Sequence, residues 1–181
     1  KGMGIRNILA LRGDPPRNNP SFDFSKNVFR YASELVKYLR ERSDFCIGVA
    51  GYPEGHPSSP SKEKDWDYLK EKVDAGTEFI VTQLFFDNSD FYLFREGLSK
   101  RGIHVPVVPG ILPVSSLEAL EKSVNLSGAK MSKGFSDIAK RFASDPEGFR
   151  KASIQYTASQ VRDLTQNGAP GIHYYILNSS E

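Results

Sequence analysis

Three features of this sequence predict an α/β fold built on a parallel sheet. Five short segments rich in branched and aromatic residues are nearly continuous apolar runs rather than alternating ones, as parallel strands covered on both faces require. Apolar stripes at helical spacing lie between most of them, and strand–helix alternation of this kind makes βα units. The chain has 181 residues, 39% hydrophobic and 25% charged, enough for one domain with its own core.

The first strand is expected at Ile5–Leu11. Val28, Ala32, Leu35 and Leu39 then fall on one helical stripe. A second strand, Phe45–Gly51, precedes a stripe of Trp66, Leu69 and Val73 that Gly76 closes in the C′ position, where glycine takes a left-handed backbone without strain. The third strand, Glu78–Phe85, leads to Phe91, Phe94 and Leu98, with Gly102 as the stop. After the fourth, Val105–Ile111, Ser115 and Glu118 match a capping box ahead of Leu117, Leu120 and Val124. Phe135, Ile138 and Phe142 predict a short helix. Asp145 followed by Pro146 starts a long one, cap and N1 proline in the favoured order, and Gly168 lies just past its end. The fifth strand is expected at Ile172–Leu177. Five such units fit an α/β barrel and an open doubly wound sheet equally well. In both, loops at the carboxyl ends of strands build the site. The long, proline-containing loops Asp14–Ser25 and Tyr52–Ser61 hold those positions.

Composition narrows the function. The 24 basic and 22 acidic residues are mixed along the chain, for a net charge of +2, which argues against a nucleic-acid surface or a polybasic membrane patch. Cys46 stands alone, so neither an intrachain disulfide nor a cysteine metal site is expected, and a reducing, cytoplasmic setting fits. The longest nearly apolar stretch, Val105–Val114, contains three prolines and is too short to span a bilayer. No signal peptide is expected from the segment that begins at Lys1. The dinucleotide, P-loop and nucleophile-elbow signatures do not occur.

The chemistry-bearing residues cluster after strands. Arg12-Gly13-Asp14 puts a cation, a free backbone and a carboxylate at the mouth of the sheet; the plain alternative is a turn with a solvated ion pair. His56, between Gly55 and Pro57, is placed to carry a proton or to contact a phosphate, a ribose or a metal. Metal is the weakest of these, because His104 and His173 show no ligand spacing with it. Asp65, Tyr68 and Lys72 share one side of a helix and could grip a polar ligand or form a solvated face. Gln83 is a polar residue inside an apolar strand. It serves either a buried hydrogen-bond network or a ligand to which it donates and from which it accepts.

Five stretches together resemble the methylenetetrahydrofolate reductase family. They are Asn7-Ile-Leu-Ala-Leu-Arg-Gly-Asp-Pro-Pro16, Val49-Ala-Gly-Tyr-Pro-Glu-Gly-His-Pro57, Val73-Asp-Ala-Gly-Thr-Glu-Phe-Ile-Val-Thr-Gln-Leu-Phe-Phe86, Val108-Pro-Gly-Ile-Leu-Pro113 and His173-Tyr-Tyr-Ile-Leu-Asn178, in order along the chain. The resemblance implies a (β/α)8 TIM barrel of which this chain covers about the last five β/α units. Residues 1–181 would then form the carboxyl-terminal part of a single flavin-binding catalytic barrel domain. Three amino-terminal strands, with the glutamate that serves the family as general acid, are expected upstream. Also implied are FAD as cofactor, NAD(P)H as co-substrate, a folate substrate, ping-pong hydride transfer and an oligomer of identical subunits. By position, Arg12, Gly13, Asp14, Tyr31, Ala32, Tyr52, His56, Asp65 and Lys72 would bind the flavin, with Ser59 and Tyr68 at positions of variable identity. Asp14 and Gln83 would act in catalysis, Asp14 by its charge beside the flavin ring. Gln83 and Tyr175 would meet the substrate. Ser179 stands where the family commonly has a substrate-binding arginine, and Ser123 where a larger apolar residue is usual. The alternative is a non-catalytic flavin-binding remnant or regulatory homologue that lacks the acid.

Overall fold

The computed structural model describes residues 4–16, 18, 19 and 21–176, so Leu177 and Ser179 lie outside the described residues. Its strands are β1 (Asn7–Ala10), β2 (Cys46–Gly51), β3 (Phe79–Leu84), β4 (Val107–Ile111) and β5 (His173–Tyr174). All neighbouring pairs are parallel and the order is β1-β2-β3-β4-β5. A doubly wound sheet reverses its order at a switch point. This sheet does not, and it forms an arc of a barrel. The helices are α1 (Ala32–Arg42), α2 (Lys62–Asp74), α3 (Asn88–Ser99), α4 (Leu117–Ser127), α5 (Lys133–Arg141) and α6 (Pro146–Gln166).

The main core lies between the sheet and its helices. Ile47, Val49, Ile80 and Ile111 from the strands meet Val36, Leu69, Phe91, Phe94 and Leu164 from the helices, all essentially inaccessible to solvent. A second cluster, Leu84, Phe86, Leu112, Val114, Leu120, Phe135 and Phe149, continues past the carboxyl ends of β3 and β4. There α6 satisfies carbonyls that strand pairing leaves over. Gln160 Nε2 donates to Phe85 O at 3.1 Å, Tyr156 OH to Phe86 O at 2.6 Å and Ser153 Oγ to Val114 O at 2.6 Å. Buried carbonyls without such donors would each cost about 1–3 kcal/mol.

The expected termini need four corrections. The first strand is shorter than Ile5–Leu11, and Leu9 is 41% exposed. Among the described strands β1 pairs with β2 alone. The fifth strand, expected over Ile172–Leu177, is His173–Tyr174 among the described residues and pairs with β4. Val28 precedes α1 and is 89% exposed, so the first apolar stripe starts at Ala32. Ser116, not Ser115, caps α4 by accepting from Ala119 N at 3.1 Å, since its backbone takes the extended cap conformation. The predicted stops hold. Gly76, Gly102 and Gly168 follow their helices with positive φ, and Asp145 caps α6 with Pro146 at its start.

The pairing of β3 with β4 contains a slip that shapes the site. Ile80 pairs with Val107 and Val81 with Val108, but Leu84 pairs with Gly110. Thr82 and Gln83 therefore stand opposite Pro109 alone, the two-against-one pattern of a bulge. Pro109 has no N–H to give a ladder, which accounts for the slip at that point.

Candidate functional site

The predicted residues gather at the carboxyl ends of β1, β2 and β3. After β1, Gly13 has φ +80° with open space around it, a backbone that side chains rarely adopt. Arg12 sits with its guanidinium 4.6 Å from the centre of the Phe24 ring. Both Arg12 and Asp14 are exposed. Tyr31, half exposed, is the N-cap of α1, and Glu34 Oε2 accepts from its backbone N–H at 3.2 Å. Ala32 opens that helix.

The loop after β2 is held from two sides. Trp66 Nε1, on α2, donates to Tyr52 O at 3.3 Å. The Tyr52 and His56 rings meet edge to face at 4.7 Å. His56 Nδ1 accepts from Ser58 N at 3.0 Å, so a neutral His56 carries its proton on Nε2. In the first turn of α2, Asp65 Oδ1 accepts from Ser59 Oγ at 3.0 Å. Two turns on, Lys72 Nζ reaches back to donate to Ala50 O at 2.8 Å.

Electrostatics tie these groups into one cluster. Burial lowers the Lys72 ammonium pKa, with Asp65 opposing and Arg12 adding to the effect. Burial likewise lowers His56, Arg12 and Lys72 reinforce it, and Asp65 and Asp14 pull the other way. The Tyr52 phenol is raised by burial and then by Asp14 and Asp65. A half-dry site that combines cations with two carboxylates suits a ligand bearing both phosphate and sugar hydroxyl groups. Tyr68 does not join the cluster: it is 41% exposed, with Lys64 Nζ 5.0 Å from its ring centre.

Gln83 lies in the bulge of β3, partly buried, and its Oε1 accepts from Leu84 N at 3.0 Å. Tyr175, after β5, donates to Thr82 O at 2.9 Å, and burial pushes its pKa up to about 12. Ser123 is buried on α4 and turns its hydroxyl to Ala119 O at 2.6 Å. His104 is exposed, apart from this group. Among the described residues, no cluster of His, Cys, Asp or Glu could hold a metal ion, and no helix is long and apolar enough to cross a membrane.

One residue of the site escaped the sequence reading. Glu54, in the β2–α2 loop, accepts from Lys130 N through Oε2 at 2.8 Å, while Oε1 is buried without a partner. Burial raises its pKa. Glu54, Tyr52, Gln83 and Ser127 line one small cleft, and a Cβ on Gly128 would stand 3.0 Å from Pro57. The segment after α4 thus docks on the loop that carries His56. The only local sign was an acidic residue between Pro53 and Gly55.

Comparison with known proteins follows the same boundaries. The family model described as methylenetetrahydrofolate reductase matches residues 1–181. The chain is 37% identical to the 5,10-methylenetetrahydrofolate reductase of Pectobacterium carotovorum, over 98% of this chain and 58% of the relative. It is 38% identical to the probable methylenetetrahydrofolate reductase (NADPH) of Caenorhabditis elegans, over 98% of this chain and 27% of the relative. The chain therefore spans only part of the relatives it matches. A solved structure from Clostridium thermocellum, an uncharacterized protein that binds two copies of 5-methyl-5,6,7,8-tetrahydrofolic acid, shares the fold. Its TM-score is 0.60 at 16% identity, covering 80% of this chain and 51% of that one.

Proposed function

The chain belongs to the methylenetetrahydrofolate reductase family, and from that premise we propose that it is the carboxyl-terminal part of a flavin-binding catalytic barrel. The whole enzyme would reduce 5,10-methylenetetrahydrofolate to 5-methyltetrahydrofolate with electrons from NAD(P)H. The observation that carries this reading is the joining of Tyr52, His56, Asp65 and Lys72 with Arg12 and Asp14 at the ends of β1 and β2. Support also comes from the names of the relatives, one of which includes NADPH, and from the methyltetrahydrofolate held by the C. thermocellum protein.

The residues fit FAD in their donor chemistry. Lys72 and Arg12 supply cationic donors for a diphosphate, His56 a neutral Nε2–H donor, and Asp65 an acceptor for a sugar hydroxyl. Gly13, with no neighbour where a Cβ would stand, lets a flat ring approach the backbone. Tyr31 and Ala32 border the same end of the sheet. A bound FAD would supply the two-electron redox chemistry, while the protein positions substrates and sets the local charge. Asp14 holds a negative charge where positive charge develops on the folate. Gln83 orients the substrate through its amide, with Tyr175 beside it. The two substrates use the site in turn, in a ping-pong sequence.

The test is the visible spectrum of the purified full-length protein, followed anaerobically. A flavin band that bleaches with NADPH or NADH and recovers with methylenetetrahydrofolate is the expected result. A band that neither nicotinamide bleaches would mean a flavin-binding remnant. Absence of flavin from the folded protein would overturn the assignment of Asp14, His56 and Lys72.

A further inference from the structure

We propose that Tyr175 and Thr82 are positioning residues that set the direction of the Gln83 amide by locking the bulge of β3. The inference rests on the proposed role of Gln83 toward the folate. A bulge breaks ladder hydrogen bonds, and each buried backbone group so released needs another partner. Here three replacements come from side chains at the bulge or packed on it. Gly110 N donates to Thr82 Oγ1 at 2.8 Å. Thr82 O accepts from Tyr175 OH at 2.9 Å. Leu84 N donates to Gln83 Oε1 at 3.0 Å.

The third bond has a chemical consequence. It commits the amide oxygen of Gln83 to the protein's own backbone and leaves the –NH2 group for a ligand. Gln83 then turns its –NH2 donors outward, and it favours an acceptor atom on the ring system it meets. That orientation holds only while Leu84 N keeps donating to the Gln83 side chain. The slip is fixed on one side by Pro109, which cannot donate, and on the other by the two bonds to Thr82.

Packing makes the lock tight. A Cβ on Gly110 would lie 2.2 Å from Thr82 O and 2.6 Å from the Tyr175 ring, so no other residue fits between them. The three partners come from β3, β4 and the end of β5, distant in sequence. The hydroxyl of Tyr175 therefore acts on the substrate through β3 and Gln83.

A double-mutant cycle in the full-length, flavin-loaded protein tests this. Tyr175→Phe keeps the ring and removes only the hydroxyl. It should weaken 5-methyltetrahydrofolate binding, measured by calorimetry, about three- to tenfold, the loss that one hydrogen bond represents. The rate of folate reduction should fall in step, with flavin content unchanged. Hydrogen exchange at the Leu84 amide should quicken. In the Gln83→Ala background, Tyr175→Phe should add less than about twofold, because the group it positions is gone. Thr82→Val, which keeps shape and loses Oγ1, should behave like Tyr175→Phe. Equal losses in both backgrounds, or no loss while Gln83 is present, would overturn the positioning role. A Gln83→Ala protein that binds and reduces folate normally would instead overturn the role of Gln83 itself.

Discussion

Lys72 Nζ lies 2.8 Å from the carbonyl oxygen of Ala50, joining the far end of α2 to the last residues of β2. Burial lowers the ammonium's pKa. A desolvated cation there gains most from a phosphate partner.

Lys72→Met keeps the apolar stem and removes the charge. We expect the flavin dissociation constant to rise about 10- to 100-fold, the scale of one charge-assisted hydrogen bond. Fluorescence titration of the flavin-free full-length protein measures this, and unchanged affinity would place the phosphates elsewhere.

Asp14→Asn tests charge at nearly constant shape. The folate half-reaction should slow by an order of magnitude or more, as for loss of one preorganised electrostatic group. The nicotinamide half-reaction should slow much less. Stopped-flow absorbance separates the two, and equal slowing would show that Asp14 does not distinguish the substrates.

Glu54→Gln should stabilise the flavin-free protein at neutral pH. Burial raises the Glu54 carboxyl above its ordinary 4.5, so the stability it contributes is present below 4.5 and lost as pH rises through the folded pKa. The glutamine can still accept from Lys130 N and carries no charge to desolvate. Its advantage in thermal melts should be clear at pH 7 to 8 and should disappear near pH 4. An advantage that grew toward acid would contradict the assignment.

Gly97→Ala probes the α2–α3 contact. Alanine is favoured over glycine inside a helix by about 1 kcal/mol. Here, however, its Cβ would stand 2.1 Å from the Trp66 ring, and overpacking of this kind costs about 1–3 kcal/mol. The steric cost should win, with a lower urea midpoint and a shifted Trp66 emission. A raised midpoint would show that the ring yields freely.

The central strands were legible because burial writes itself into composition. β2, β3 and β4 have neighbours on both sides, and each sits within a residue or two of its predicted range. Helix ends were legible where a single residue decides them, as Asp145 and Gly168 do. Val28 misled because one apolar residue in helical register carries no information about whether a helix has begun. The parts of the site on one loop or helix, Tyr52 with His56 and Asp65 with Lys72, could be grouped by spacing. The links from Glu54 to Lys130 and from Tyr175 to Thr82 could not, since they join residues 76 and 93 positions apart. No local pattern encodes a partner at that distance.

The strand order also bears on how the chain acquires its shape. Because each strand pairs with the strand just before it in sequence, the sheet can grow in the direction of synthesis, one βα hairpin at a time. The last addition differs. Gly110 pairs with His173 across α4, α5 and α6, the longest loop closure among the described strands and the one with the largest entropic cost. Tyr175 lies just beyond β5, so the bond by which it locks the bulge of β3 requires β5 to be in place beside β4.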